Sequence, residues 1–289
     1  ERPNDRGIAC ESPLAAMRSS WSPMADSEIM VFVLCLILSL LGGGTWLWSI
    51  FAPTSLGGGG AGRNLLAFGL AASLVVLLAV LRLWSSEDVR TSFTYVTFYL
   101  VMGAAWLSVG IRATGWFGII ARDDVVERRN KAAVFPILGW TVGLMFCFAG
   151  GNIGNGPGWW VVVFSATLAA CGLSVVWWLT EIAVHASETI TIERETAAGM
   201  RLGAILLSTG LILGRAVAGN WVSTEATLRE FVAVGWVVVV LPSAETILRH
   251  IRVFRSQDRS ADVAISGAAP AAAYLSSAIA YVLYLGAWH

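Results

Sequence analysis

The chain has 289 residues, of which 56% are hydrophobic and only 13% are charged. Soluble domains carry about a quarter charged residues, so this composition excludes an ordinary soluble domain and indicates a polytopic membrane protein whose apolar runs are solvated by lipid. The formal net charge is zero, which gives no indication of binding to nucleic acid.

The polar N-terminal tail, residues 1–28, is expected to be disordered or partly non-native. No apolar stretch precedes Cys10, so neither a signal peptide nor a lipoprotein anchor is predicted. The other three cysteines lie inside apolar segments, and none of the four forms a C-x-x-C pair. We therefore expect no disulfide framework and no metal site.

Eight apolar segments are each long enough to span a bilayer, which takes about 20 residues. They predict an all-α membrane protein with eight transmembrane helices, at 29–51, 64–84, 93–120, 132–151, 159–185, 196–219, 231–254 and 263–288. The first contains Gly42-Gly43-Gly44, where we expect a bend. The third carries Arg112 and is expected to end early and continue along the interface.

Arginine and lysine in the short loops predict the orientation. One side holds ten of them: Arg63, Arg122, Arg128, Arg129, Lys131, Arg194, Arg249, Arg252, Arg255 and Arg259. The other side holds Arg82, Arg90, Arg215 and Arg229, with three more in the tail. We place the ten on the cytoplasmic side of the membrane, which leaves both termini outside.

An internal repeat is the most informative pattern. Similar stretches begin at four arginines, "RNLLAFGLAA" at Arg63, "RNKAAVFPILG" at Arg129, "RETAAGMRLGA" at Arg194 and "RSADVAISGAA" at Arg259. Each arginine opens an even-numbered helix and is interpreted as a cytoplasmic anchor of its repeat. A unit of two spans returns the chain to its starting side, so the pattern predicts four parallel two-helix pseudo-repeats.

Small residues at four-residue spacing mark the even-numbered helices. The pairs are Gly139 with Gly143, Gly199 with Gly203, and Gly210 with Gly214. This spacing puts the small residues on one helix face, where neighbouring backbones approach closely. We predict that the even helices pack inside the bundle and that the odd, Val- and Trp-rich helices shield them.

The stretches "ERRNKAAVFPILGWTVGLMFCFAGG" (127–151) and "ERETAAGMRLGAILLSTGLILGRAVAGNW" (193–221) resemble the YjfL-like family of bacterial inner-membrane proteins, catalogued as domain of unknown function 350. The resemblance rests on Asn130 with Ala132-Ala133, and on Thr196 with Ala197-Ala198-Gly199. It is clearest over 125–221, which holds helices 4–6. The predicted division of the chain therefore sets this region apart from 29–124 (helices 1–3) and from a C-terminal helical pair, 222–289. It implies tandem four-helix units in the inner membrane and no catalytic residue.

Ionisable groups within spans are candidate functional residues. Glu181 and His185 precede Arg194 by 13 and 9 residues, and Glu245 and His250 precede Arg259 by 14 and 9. Glu245 lies 14 residues after the predicted start of its helix, about 21 Å along it, and is the better candidate for burial. Arg201 is a fifth candidate, and no arginine stands at the matching position of the other three repeats.

Three interpretations of these residues remain open. Arg201 forms a structural ion pair with Glu245 or Glu181, in which case a charge swap of Arg201 and Glu245 restores folding lost in either single reversal. Alternatively, the side chains extend to the interface without a specific partner. In the third interpretation they form a proton or cation path, or a metal, haem or pigment site at His185 and His250.

No Ser/His/Asp set, Cys/His pair or H-E-x-x-H motif is present, so we predict no enzymatic activity. The favoured function is a structural or accessory subunit of a membrane assembly. The alternative is an ion or small-molecule channel or transporter using ionisable residues near the cytoplasmic ends of helices 5–7. Expected partners are the lipid bilayer and other membrane-protein subunits, with no cofactor and no nucleic acid.

Overall fold

The computed structural model describes residues 24–53, 60–250 and 263–286. Within them there is no strand, and eight helices are long and apolar enough to span a membrane. These are α1 (Asp26–Phe51), α2 (Ala61–Leu83), α3 (Phe93–Phe117), α4 (Val134–Gly151), α5 (Trp159–Val184), α6 (Thr196–Ala216), α7 (Thr224–His250) and α8 (Ala264–Tyr284). The predicted all-α, eight-helix membrane fold is confirmed, while Arg259 and most of the N-terminal tail lie outside the described residues.

Several spans depart from regular α-helix where the sequence carries glycine or proline. In α1, a π-helical stretch, Leu38–Gly43, ends in the predicted glycine run. The last turns of α3 are a 3-10 helix, Ile111–Phe117, which stops at Gly118 with φ of +79°. A separate π-helical segment, Ala121–Glu127, follows before α4.

Helix α7 begins seven residues earlier than the sequence predicts. Its first turns, Thr224–Gly235, are capped by Ser223, whose Oγ accepts a hydrogen bond from the Ala226 N–H at 3.1 Å. A 3-10 stretch, Trp236–Val239, then interrupts the helix before Pro242. Since proline cannot donate a backbone hydrogen bond to the preceding turn, it favours such a break.

Helices α4 and α6 form the centre of the bundle. In the most apolar stretch of each, 72% of the residues of α4 and 83% of those of α6 are buried. The residue numbers of the contacting pairs increase together along the two helices, from Ala132 with Gly199 to Gly150 with Gly214. The two helices therefore run parallel, with their backbones in contact.

All six glycines singled out in the sequence lie in this α4–α6 interface. A Cβ placed on Gly139 would overlap the backbone of Gly203, and one on Gly210 would overlap that of Gly143. Gly199 and Gly214 face backbone atoms of Ala132 and Phe146 in the same way. Lipid gives apolar helices no hydrophobic reason to associate, so this close backbone contact is the main source of their van der Waals attraction.

The predicted division into inner even helices and outer odd helices is wrong for α2 and α8. Helix α2 packs on α4, and α8 packs on α6, so the even helices form a row whose two ends face outward. Only 33% of the most apolar stretch of either end helix is buried, against 50% in α3 and 39% in α5. Burial follows a helix's place in the row because an end helix has a neighbour in the row on one side only.

We expect Gly203→Ala to lower the free energy of unfolding by about 1–3 kcal/mol. A Cβ at this position would lie 2.5 Å from the carbonyl oxygen of Phe135. Because this oxygen belongs to the backbone of α4, it cannot easily move away. Gly44→Ala is the matched control, since Gly44 is also helical and nothing lies within 4 Å of its added Cβ. Thermal unfolding in detergent compares the two variants, and equal midpoints would contradict the tight α4–α6 interface.

Candidate functional site: a buried charge cluster

Arg201 lies on the side of α6 that faces away from α4. Two residues along a helix turn it by about 200°, so Arg201 sits roughly opposite Gly199 and Gly203. Its side chain is directed toward α7 and α8 and is only 4% exposed. An arginine buried in this way requires partners for its charge and for its N–H groups.

The guanidinium of Arg201 has a partner at each nitrogen. Its Nε donates to both carboxylate oxygens of Glu245 on α7, at 2.9 and 3.1 Å. One terminal nitrogen donates to the backbone carbonyl of Ser266 on α8 at 2.5 Å. The other lies 3.6 Å from a carboxylate oxygen of Glu195, directly before α6. Arg201 therefore ties three helices together.

Glu245 is the second centre of the cluster and is 2% exposed. Besides Arg201, it accepts hydrogen bonds from Arg249 Nε at 3.3 Å and from the Tyr274 hydroxyl at 3.2 Å. Arg249 also donates to Thr189 Oγ1 at 3.1 Å, on the short helix Ala186–Thr191 between α5 and α6. The carboxylate is thus satisfied from α6, α7 and α8.

Two prolines shape the backbone around this charge cluster, which we define as Arg201, Glu245, Arg249, Tyr274 and Glu195. Pro242 follows the 3-10 break of α7 and stands one turn before Glu245. Pro270 has no N–H to donate to the Ser266 carbonyl four residues earlier, and Arg201 donates to that carbonyl.

The charge cluster as a whole is neutral. Two guanidinium groups face two carboxylates, and Glu195 is the more exposed carboxylate, with 40% of its side chain accessible. The long α7 places Glu245 21 residues after Thr224, about 32 Å along the helix, rather than the predicted 21 Å. Glu245 is buried there because Arg201 and Tyr274 cover it, not because it lies at mid-membrane.

Glu181 is not a partner of Arg201. Its two carboxylate oxygens accept hydrogen bonds from the backbone N–H and the hydroxyl of Ser187, at 2.8 and 2.6 Å. It therefore fixes the turn from α5 into the short helix Ala186–Thr191, and only one of the two predicted glutamates joins the charge cluster.

The two histidines are exposed and stand at helix ends. His185 ends α5 in the left-handed conformation, with φ of +45°. His250 ends α7, and its Nδ1 lies 2.7 Å from the carbonyl oxygen of Thr246. Across residues 24–53, 60–250 and 263–286, no group of three or more His, Cys, Asp or Glu side chains is arranged to hold a metal ion.

The predicted repeat anchors differ in their surroundings. Arg129 and Arg194 adopt left-handed φ angles of +52° and +58° just before α4 and α6. Arg63 lies in the first turn of α2, with its guanidinium 5.3 Å from the ring centre of Phe51. Arg259 lies outside the described residues.

No sequence pattern had indicated Tyr274, Arg249 or the Ser266 carbonyl as members or partners of the charge cluster. The contact of Arg249 with Glu245 could have been predicted, because Arg249 lies four residues after Glu245 on the same helix face. The contribution of Tyr274 and of a backbone carbonyl depends on how α8 packs, which no local pattern reveals.

We expect Arg201→Met or Glu245→Gln alone to destabilise the protein by about 3–5 kcal/mol, because each leaves a buried charge without its main partner. The double variant should lose less than the sum of the two, with a coupling of about 1–3 kcal/mol. Unfolding of the four proteins in detergent measures the coupling. Additive losses would contradict a direct pair.

A matched control lies in α7, the helix that carries Glu245. Glu225 and Arg229 form an exposed pair at 2.8 Å, with more than three quarters of each side chain accessible, and removing it should cost at most about 0.5 kcal/mol. A charge swap of Arg201 and Glu245 is a poorer test than the sequence suggested. It would place an arginine beside Arg249 and a glutamate beside Glu195, so we expect only partial recovery.

The comparisons with known proteins give no relative for this chain. No protein-family model matches it, and no curated protein and no solved structure is significantly similar to it. The resemblance to the YjfL-like family stays a prediction.

Proposed function

We propose that this chain is a structural or accessory subunit of a membrane assembly in a bacterial inner membrane, without enzymatic activity. That it is an integral membrane protein follows from its eight apolar helices. The observation that carries the subunit proposal is that the buried charged groups bond within the chain. The buried charges of Arg201 and Glu245 face each other and neighbouring helices, and the centre of the bundle is closed by backbone contact between α4 and α6.

The outermost helix supports a role in assembly. In the most apolar stretch of α1, only 6% of the residues are buried within the chain. Its contact with the bundle includes Arg112 of α3, which donates to the Gly42 carbonyl at 2.6 Å and to Thr45 Oγ1 at 2.7 Å. A helix held mainly along one edge leaves most of its surface to lipid or to another membrane subunit.

Local features at a spacing of 65 residues support the proposed pseudo-repeat. Arg129 and Arg194 share the left-handed conformation. Just after them, the Asn130 N–H donates to the Asp124 carbonyl and the Glu195 N–H to the Thr189 carbonyl, each spanning six residues. Tandem units of this kind fit a scaffold, and they are also what the family resemblance implies.

Conduction is a second candidate because one face of α6 carries polar residues along its length. Arg201, Ser208 and Arg215 are spaced by seven residues and are all buried. The Ser208 hydroxyl has no hydrogen-bond partner among the described residues. However, seven residues separate neighbouring side chains by about 10 Å along the axis, too far for direct proton transfer, so we favour the structural role.

Flux through proteoliposomes separates the two candidates. We expect the purified protein to give no proton, sodium or potassium flux above protein-free liposomes. The Glu245→Gln and Glu225→Gln variants should behave alike, since the first changes the buried charge cluster and the second an exposed pair. A flux abolished by Glu245→Gln and retained by Glu225→Gln would overturn the subunit proposal.

The subunit role itself predicts a defined complex. After gentle solubilisation, native mass spectrometry should find the chain with another membrane protein in a fixed ratio. Recovery of the chain only as a monomer from its native membrane, under conditions that keep other complexes intact, would contradict it.

A further inference from the structure

Each contact in the row of α2, α4, α6 and α8 repeats the contact before it. On the side toward the preceding helix, Val134 and Leu138 of α4 lie against α2. Gly199 and Gly203 of α6, each 65 residues later in the chain, lie against α4. Matching positions therefore make the contact with the preceding helix, and we call this side of a row helix its backward face.

The side toward the following helix repeats in the same way. Ala132, just before α4, and Phe135 of α4 lie against α6. Ala197 and Met200 of α6, again 65 residues later, lie against α8. We call this side the forward face. It is separate from the backward face, because the two residues from Ala197 to Gly199 turn the helix by about 200°.

The forward face of α8 is not covered by any of the described residues. Ile265 stands 65 residues after Met200, and Ala272 and Ile279 follow it at seven-residue spacing, which keeps all three on one side of the helix. Ala272 is exposed, Ile265 is 62% exposed and Ile279 is 50% exposed, whereas Gly267 on the backward face is buried. The row therefore ends at α8 with its forward face open.

The backward face of α2 is open at the other end of the row. Phe68 stands 66 residues before Val134, the same spacing that separates Arg63 from Arg129. Phe68 is 68% exposed, and Val75, seven residues later on the same side of the helix, is 64% exposed. The two ends of the row thus expose the two halves of the contact that its interior uses.

We propose that a second copy of this chain continues the row, with the forward face of α8 in one copy packed against the backward face of α2 in the next. Neighbours in the row are separated by one span along the chain, so all row helices cross the membrane in the same direction. A copy inserted in the same orientation therefore presents α2 parallel to α8, as α6 is to α4. The two faces are different surfaces, so the contact is heterologous and forms a ring or an open row rather than a two-fold dimer.

The match between the two faces favours a second copy over another occupant. In the interior of the row every forward face meets a backward face, and the described residues leave one face of each kind unpaired. Both open faces are apolar at the residues that mark them, and the small Ala272 leaves room for the larger Phe68 and Val75. The contact does not depend on the proposed subunit role, because its occupant is another copy of the chain.

Cross-linking in the membrane tests this contact. Two differently tagged copies are produced together at low level, both with the four native cysteines replaced by alanine. One copy carries Ala272→Cys and the other carries Val75→Cys, each seven residues after the first residue of its open face. A flexible bismaleimide tolerates a shift of about 5.4 Å, one helical turn, between the two helices. We expect a product that carries both tags and has the mass of two chains on a denaturing gel.

Ser277→Cys is the matched control for Ala272→Cys. Ser277 is also exposed, but it lies five residues after Ala272, about 140° around α8, so it should give no product with Val75→Cys. Ala272→Cys alone should give no dimer, because two forward faces do not meet. All three substitutions are at exposed positions, so the fold of each variant is retained.

The proposal is overturned if the doubly tagged product is absent, if Ser277→Cys gives as much of it, or if Ala272→Cys forms a dimer alone. Cross-linking of Ala272→Cys to a different membrane protein in place of the second copy overturns it as well. That last result supports the subunit role, so the two proposals fail separately.

Discussion

The close approach of α4 and α6 is the constraint on which the rest of this bundle depends. In lipid, apolar side chains gain nothing by leaving their solvent for a neighbouring helix, so association relies on contact area and on polar bonds. Glycines on both helices remove the side chains that would hold the axes apart, and backbone meets backbone from Gly199 to Gly214. Helices α2, α3, α5, α7 and α8 each pack on one or both members of this pair, and α1 packs on α3.

That contact also determines where the charged residues lie. Because the glycine face of α6 is turned to α4, Arg201 is turned to α7 and α8, and it is buried as soon as those helices pack. Its burial is tolerable only with Glu245, Ser266 and Glu195 in place. The van der Waals contact on one face and the ion pair on the other therefore fix the same helix in two directions.

Much of this arrangement could be predicted from sequence where the cause is local. Apolar length predicted the eight spans, and the glycine spacing identified the face of α6 that meets α4. The order of burial was not predicted, because the repeat pattern treats α2, α4, α6 and α8 as equivalent, whereas packing places α2 and α8 at the ends of the row. Arg201 could be paired with either of two glutamates by depth alone. Only packing distinguishes Glu245 from Glu181, which bonds to Ser187 instead.

Cross-linking between the ends of α4 and α6 tests the parallel central pair most directly. The Asn155 N–H donates to Asn220 Oδ1 at 2.9 Å, so cysteines at these two positions, in a chain whose four native cysteines are replaced, should lie within reach of a short bifunctional thiol reagent. A parallel α4–α6 pair predicts one intramolecular cross-link joining the peptides that carry residues 155 and 220, identified by mass spectrometry. Modification of both thiols separately, with no cross-linked peptide, would contradict it.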